Sequence, residues 1–365
     1  MGKTVKWVLL GVLAIVVIAV VAFFAVYFTR FQTLGTLEQL SNHEDGYDLY
    51  RIEVKYDYSI DDVIARGITD DASFVSAILA ETLPYLPVSI DLRDFGCTAF
   101  SVTATNGDIL MGRGYDFKYD TSAMLVYCNP KDGYKSVATA ALDNVNAGQP
   151  FSSLSARFAT LTAPFICLDG MNEKGVSIAV LTLDSEPTVQ SSGKQTIGTS
   201  LAIRLVLDRA ATTQEAVELL QGYDMLATNG RDYHFFITDA SGDSRIIEFD
   251  CESETRELVA TPTSVATNFF ELYKDQVQPN QKNGIYGHGK ERYDTAESML
   301  AANEGNFTVD LAWDTLQAVA QLPKEGDVTS NTQWSIVYDD TALTAQIVIR
   351  RNWEEVFGYS LSDIE

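Results

Sequence analysis

Residues Trp7 to Thr29 run without a single charged side chain and consist mostly of Val, Leu, Ile, Ala and Phe. About 20 apolar residues in a helix cross the hydrocarbon of a bilayer, so this stretch separates a short amino-terminal stub from a long remainder. A cleavable signal peptide has a shorter apolar core and ends on small residues. Ala22-Phe-Phe-Ala-Val-Tyr-Phe-Thr29 offers no such site, which favours a signal anchor. Lys3 and Lys6 precede the stretch, and its downstream flank is acidic apart from Arg30. The positive-inside tendency puts the amino terminus in the cytoplasm and everything after Arg30 outside it, held at the cell membrane.

The exported part is strongly acidic. With Lys3, Lys6 and Arg30 set aside, 23 basic residues face 50 acidic ones, a net charge of −27. That balance argues against nucleic acid and against an anionic membrane surface as partners. Cys97, Cys128, Cys167 and Cys251 are unevenly spaced with no CxxC, so neither a metal site nor a disulfide framework is indicated. The last three are read as buried thiols, and no metal or organic cofactor is expected.

Chemistry concentrates between Gly96 and Asp116. Phe100, Val102 and Ala104 alternate with polar residues, the period of a half-buried strand. Asn106-Gly107 is a strong hairpin signal, because both residues tolerate the positive φ of a type I′ turn. A two-residue turn there sets Thr105 opposite Asp108 and, at the open end, Cys97 opposite Asp116. Arg113 and Asp116 lie an odd number of residues apart, so a regular strand points them to opposite faces; a β-bulge at Gly114 would turn both toward the cysteine. A thiol, a carboxylate and a guanidinium are thereby gathered by local geometry.

Cys-Thr-x-Phe, a short hairpin and Gly-Arg-x-x-Asp resemble the start of the linear amide C–N hydrolases, the choloylglycine hydrolase group. That group includes bile salt hydrolases and penicillin V acylases and is related to acid ceramidase and the penicillin acyltransferases. The likeness continues in order through Asp169-Gly-Met-Asn-Glu-Lys-Gly175, Ala266-Thr-Asn268, Glu291-Arg-Tyr293 and Thr332-Gln-Trp-Ser-Ile-Val-Tyr-Asp339. It implies an N-terminal-nucleophile hydrolase with a four-layer αββα sandwich, an α+β fold, here preceded by one transmembrane helix. It also implies roles: Cys97 as nucleophile, Asp116 orienting its α-amine and Arg113 stabilising the thiolate or the substrate carbonyl. Asn172 and Asn268 would be donors to developing negative charge, and Arg292 would brace the site. Gly114 departs from the family's usual Asn after the hairpin arginine.

A thiol attacks an amide as thiolate and needs a base. The three histidines, His43, His234 and His288, fall in no recognisable protease signature, whereas an N-terminal cysteine brings its own amine, of pKa near 8. Cys97 has 96 residues before it, so the Gly96–Cys97 bond has to be cut. The resemblance to acid ceramidase and the penicillin acyltransferases implies self-cleavage, with the released piece able to stay bound as a small subunit.

Three regions follow: residues 1–30, stub and anchor; 31–96, a compact pro-segment or small subunit; 97–365, the catalytic domain. Ile60, Val63, Ile64, Phe74, Val75, Ile78 and Leu79 stand at helical spacing in the second, before Pro84 and Pro87 leave an extended approach to Gly96. In the third, hairpins around Ser241-Gly242 and between Trp334 and Arg350 flank a helical stretch, Leu201 to Gly222, where Thr212 and Glu215 suggest a capping box. Tyr115, Phe117, Tyr119 and Tyr127 either line an acyl pocket or simply pack. The expected activity is hydrolysis of a small-molecule N-acyl amide. An acyltransferase on the same scaffold, a catalytically silent binding module, and a cysteine protease using His234 or His288 are the alternatives.

Overall fold

The computed structural model of the chain describes residues 2–86, 96–145, 153–282, 284–325 and 330–364. Two sheets face each other. The larger contains β1 (Glu38–Gln39), β2 (Leu49–Glu53), β5 (Ala123–Cys128), β6 (Ser136–Ala141), β7 (Asp169–Asn172), β8 (Val176–Leu183), β11 (Asp232–Asp239), β12 (Ser244–Phe249) and β13 (Leu258–Pro262), in that order across the sheet. The smaller runs in the order β14 (Val265–Ala266), β3 (Gly96–Thr103), β4 (Ile109–Asp116), β15 (Thr332–Asp339), β16 (Thr344–Ile349) and β17 (Phe357–Ser360). A short parallel pair, β9 (Thr196–Gly198) and β10 (Asp224–Leu226), stands apart.

Helices close both outer faces. α5 (Thr199–Arg209) and α6 (Thr213–Gln221) lie on the larger sheet, α7 (Lys290–Ala302) and α8 (Val309–Val319) on the smaller. This is the αββα sandwich. Its inner strands have no solvent face, which is why β8 reads Val-Ser-Ile-Ala-Val-Leu-Thr-Leu, buried at every position, instead of alternating. A second apolar core, with Phe100, Leu110, Val265, Tyr293, Leu316 and Val337, fills the space under α7 and α8. The stretch 201–222 is two helices rather than one. Thr212 accepts from the Glu215 N–H to start α6, while the Glu215 carboxylate bonds Ala211 N–H, one residue short of a full capping box.

The hairpin forms one residue out of the expected register: Gly96 faces Asp116 and Cys97 faces Tyr115. Only Gly107 takes a positive φ, 93°, its N–H bonding Ala104 O while Ala104 N–H bonds Asp108 O. The loop is therefore a type I turn closed by a glycine bulge, three residues long instead of two. Gly114 hosts no bulge either, since the ladder passes regularly through Thr98–Gly114 and Ser335–Gly114. The extra residue is Gln333 on β15, between Thr332, which faces Asp116, and Trp334, which faces Tyr115. All four cysteines are free; Cys128 and Cys167 are buried as expected, Cys97 is buried too, and Cys251 is partly exposed in a turn, contrary to expectation.

The amino-terminal region is built into the fold. α1 (Lys3–Gly35) is long and apolar enough to cross a membrane, and its last turns dock on the domain. Arg30 donates to Thr82 O and Glu81 O, both at 2.6 Å, at the end of α3 (Asp71–Thr82), and lies over the Tyr56 ring at 4.8 Å. Tyr27 is fully buried between Phe23 and Phe158. The chain then enters the large sheet as β2, parallel to β5, and continues through α2 (Ile60–Ala65), whose Ser59 cap accepts from Asp62 N–H. From residue 87 to 95 the expected extended approach to Gly96 lies outside the described residues.

Asn172 closes the β7–β8 turn. Its Nδ2 donates to Leu207 O and Ala210 O, and its Oδ1 accepts from Lys174 and Val176 N–H. Removing it strands four backbone groups, three of them buried, each buried one costing about 1–3 kcal/mol when left unpaired. Asn172→Ala is thus expected to lower unfolding free energy by at least about 2 kcal/mol in denaturant titration.

Candidate active site

The site straddles the first residues of β3. On the face between the sheets, the Cys97 thiol is completely inaccessible and lies beside the Arg113 guanidinium and the Asp116 backbone N–H. Burial pushes the thiol up to about 11; Arg113 opposes that rise and the Asp116 carboxylate adds to it. Arg113 is anchored from the opposite sheet: Nε donates to Asp169 Oδ2 at 3.3 Å and Nη2 to Val180 O at 3.1 Å. Asp169, wholly buried, also accepts from Tyr338 Oη at 2.6 Å and Trp334 Nε1 at 3.4 Å. A buried carboxylate gripping a buried guanidinium satisfies both charges where neither would be tolerated alone.

The backbone of Cys97 faces another set of groups. Its N–H donates to Asn268 Oδ1 at 3.1 Å, and its carbonyl accepts from Arg292 Nη1 at 2.8 Å. Arg292 also bonds Thr98 Oγ1 at 2.5 Å and Asn268 Oδ1 at 2.6 Å, and approaches Asp116 Oδ2 at 3.7 Å. Asn268 Nδ2 donates to Thr182 O on β8. Asn268 holds this place because β14 pairs with β3 through Val265–Phe100 and Ala266–Ala99, and two rungs further on it stands beside Cys97. Arg292 comes from the first turn of α7, just after Gly289, whose φ is 90°. A Cβ on Gly289 would come within 2.5 Å of Arg292 Nη2, so a glycine is required for the guanidinium to reach the strand.

Asp116 accepts from Thr332 Oγ1 at 2.6 Å and from Gln321 Nε2 at 2.9 Å. Arg113 and Asp116 do project to opposite sides of β4, and no bulge is needed. The arginine serves the thiol, and the carboxylate stands near the guanidinium that holds the Cys97 carbonyl.

Cys97, Arg113, Asp116, Asn268 and Arg292 are thus brought together. Asn172 is not: both protons of its amide are committed to backbone carbonyls at the end of α5, leaving no donor for an oxyanion. Sequence reasoning passed over Asp169, although a carboxylate leading the apolar strand pair β7–β8 was itself a signal that a buried cation stood opposite. His234 has both ring nitrogens engaged, with Glu248 and Thr267 O, and His288 Nδ1 bonds Asp184. Tyr115 stacks on Trp334 with ring centroids 3.9 Å apart and Tyr127 is core, so neither offers a pocket wall; Tyr119 is exposed. A cavity of about 400 Å³ opens beside the site, lined by Arg292, Val319, Gln321, Leu322, Pro323 and Lys324.

The same architecture occurs in conjugated bile acid hydrolase from Clostridium perfringens. One variant of that protein aligns with a TM-score of 0.55 at 15% identity, covering 74% of this chain and 93% of the other. Penicillin V acylase from Agrobacterium tumefaciens aligns with a TM-score of 0.52 at 20% identity, covering 73% of this chain and 86% of the other. At such identities these structures share the fold. No curated protein matches the chain by sequence. The profile of the acyl-coenzyme A:6-aminopenicillanic acid acyl-transferase family matches residues 102–353, well over half of the sequence. The chain therefore belongs to that family.

Proposed function

We propose that the protein is a membrane-anchored cysteine amidase, facing outward, that matures by self-cleavage at Gly96–Cys97 and then hydrolyses linear N-acyl amides. The observation that carries this reading is the Cys97 nitrogen held by Asn268 Oδ1 beside Arg292 and Asp116. That nitrogen becomes the α-amine once the bond before it is cut. In maturation, Cys97 Sγ attacks the Gly96 carbonyl, the acyl group passes from nitrogen to sulfur, and water hydrolyses the thioester, leaving a Gly96 carboxylate and a free amine. In turnover the amine takes the thiol proton, and the thiolate, steadied by Arg113, attacks the substrate carbonyl. The amine's proton then goes to the departing nitrogen, and water releases the acid from the acyl-enzyme.

Thiol ionisation explains why the cut matters. A thiol with a pKa of about 11 is ionised in roughly one molecule in 10⁴ at pH 7, and the uncut amide nitrogen accepts no proton. The fold also accounts for a small subunit that stays bound: β2 lies inside the large sheet and Arg30 is bonded to the end of α3. A second reading is favoured by the family profile itself, an acyltransferase in which an amine resolves the acyl-enzyme. Product analysis with and without an amine acceptor separates the two.

The deciding experiment is intact mass and amino-terminal sequencing of the full chain purified in detergent. A fragment beginning at Cys97, missing from Cys97→Ala, is expected; a chain that remains whole in both overturns the reading. For the cut protein, kcat/KM for an acyl amide should fall about tenfold per pH unit below roughly pH 8, because the protonated α-amine cannot take the thiol proton. A flat profile from pH 6 to pH 9 would mean another base. Gly289→Ala should displace Arg292 and cost about 1–3 kcal/mol of stability through backbone strain, and it should slow self-cleavage more than tenfold.

A further inference from the structure

Among the buried ionisable pairs that the mechanism above leaves unused, one lies on the large sheet behind Asn268. His234 on β11 and Glu248 on β12 are the next rung beyond Phe235–Ile247, and both are inaccessible to solvent. Imidazole Nδ1 lies 3.1 Å from Glu248 Oε1, and Nε2 lies 2.8 Å from Thr267 O. The Thr267 carbonyl oxygen only accepts, so Nε2 carries a hydrogen and donates to it. The carboxylate is equally committed: Oε1 accepts from Glu271 N–H at 2.7 Å and Oε2 from Leu272 N–H at 3.1 Å.

Three of these bonds grip the chain on both sides of Asn268, and the fourth joins the two side chains to each other. Thr267 is fixed from below by His234, and the turn at Glu271–Leu272 by Glu248. Two further bonds complete the hold, Thr267 Oγ1 to Gly289 O and His288 N–H to Asn268 O. The Asn268 side chain then has one direction to take, toward Cys97 N and Arg292. Neither His234 nor Glu248 touches Cys97 in this arrangement, and the pair reaches it only through Asn268.

We propose that the His234–Glu248 pair is a positioning device: two buried, hydrogen-bonded side chains reaching from the large sheet to the end of β14 to aim Asn268 at the Cys97 nitrogen. Its value lies in directed bonds to the backbone of Thr267, Glu271 and Leu272. Misplacing a positioning group by about 1 Å can cost roughly 100-fold in rate.

The test uses the full chain in detergent and two readouts. The catalytic readout rests on the proposed amidase activity. His234→Phe fills the volume without donating; it should fold, slow self-cleavage and lower kcat at least tenfold, and leave KM within about twofold. His234→Gln, whose Nε2 can still donate to Thr267 O, should recover most of the loss. The second readout needs no activity. In a Cys97→Ala background, which stays uncut, the amide hydrogen of residue 97 should exchange at least tenfold faster with His234→Phe, while the amides of Phe235 and Phe236 keep their protection.

If His234→Phe does not fold, Glu248→Gln replaces it, with the same losses expected. Wild-type rates and unchanged exchange at residue 97 in a folded variant overturn the proposal. If the parent chain neither cleaves nor hydrolyses, the amidase reading fails, and exchange at residue 97 alone decides the positioning.

Discussion

Everything in the site depends on how the backbone of Cys97 is held. An N–H at a strand end would normally pair with a neighbouring strand or with water. Here it is given to an asparagine side chain from β14, and the carbonyl of the same residue is given to an arginine from α7. Asn268 and Arg292 also bond each other, so a residue of β3, the edge strand of its sheet and an outer-layer helix are locked into one triangle. The side-chain half of the residue is held from the opposite sheet, by an arginine that Asp169 fixes in place. One cysteine thus joins three of the four layers, and the sandwich could not slide without breaking its bonds.

The two halves perform separate tasks. Charge near the sulfur decides how readily it ionises, and burial currently dominates, pushing the thiol up despite Arg113. Bonds to the nitrogen decide where an amine would sit once one exists. Under the proposed reading a single covalent event, loss of the Gly96 acyl group from nitrogen, supplies the base without moving either set of partners. Such a site is assembled before it is active, and its inertness comes from a missing proton acceptor rather than from misplacement.

Much of this was legible in the residues. The β3–β4 hairpin, the β11–β12 hairpin, the long apolar helix and the clustering of five of the six named residues follow from alternation, turn chemistry, apolar length and the family resemblance. What was misread has specific physical causes. Asn106-Gly107 permits two turns, and the choice between a two-residue and a three-residue loop rests on whether Asn106 also takes a positive φ; it does not, and the register moved by one. Asn172 sits in a motif that also holds a true partner of the site, Asp169, and only packing tells the two apart. The bulge was assigned to the glycine because glycine favours bulges, yet the site needed none, since its groups approach Cys97 from both faces. His234 and Glu248 are 14 positions apart with nothing in the sequence between them to mark a pair, and only the β11–β12 register sets them opposite each other.

The amino-terminal apolar helix adds a constraint of its own. Arg30 ends the apolar run and, rather than facing solvent, donates to two carbonyls at the carboxyl end of α3. Those carbonyls carry the negative end of the helix dipole, so the cation neutralises the last turn of α3 while closing the apolar run of α1. Tyr27, one turn earlier, is buried and donates to Pro84 O at 2.5 Å. The helix continues into the domain through buried aromatic contacts and charge-assisted bonds. The strand that follows, β2, is hydrogen-bonded into the sheet that carries Asp169 and Thr182. Under the proposed anchoring, position relative to the bilayer is transmitted through these packed elements to the sheet behind Cys97.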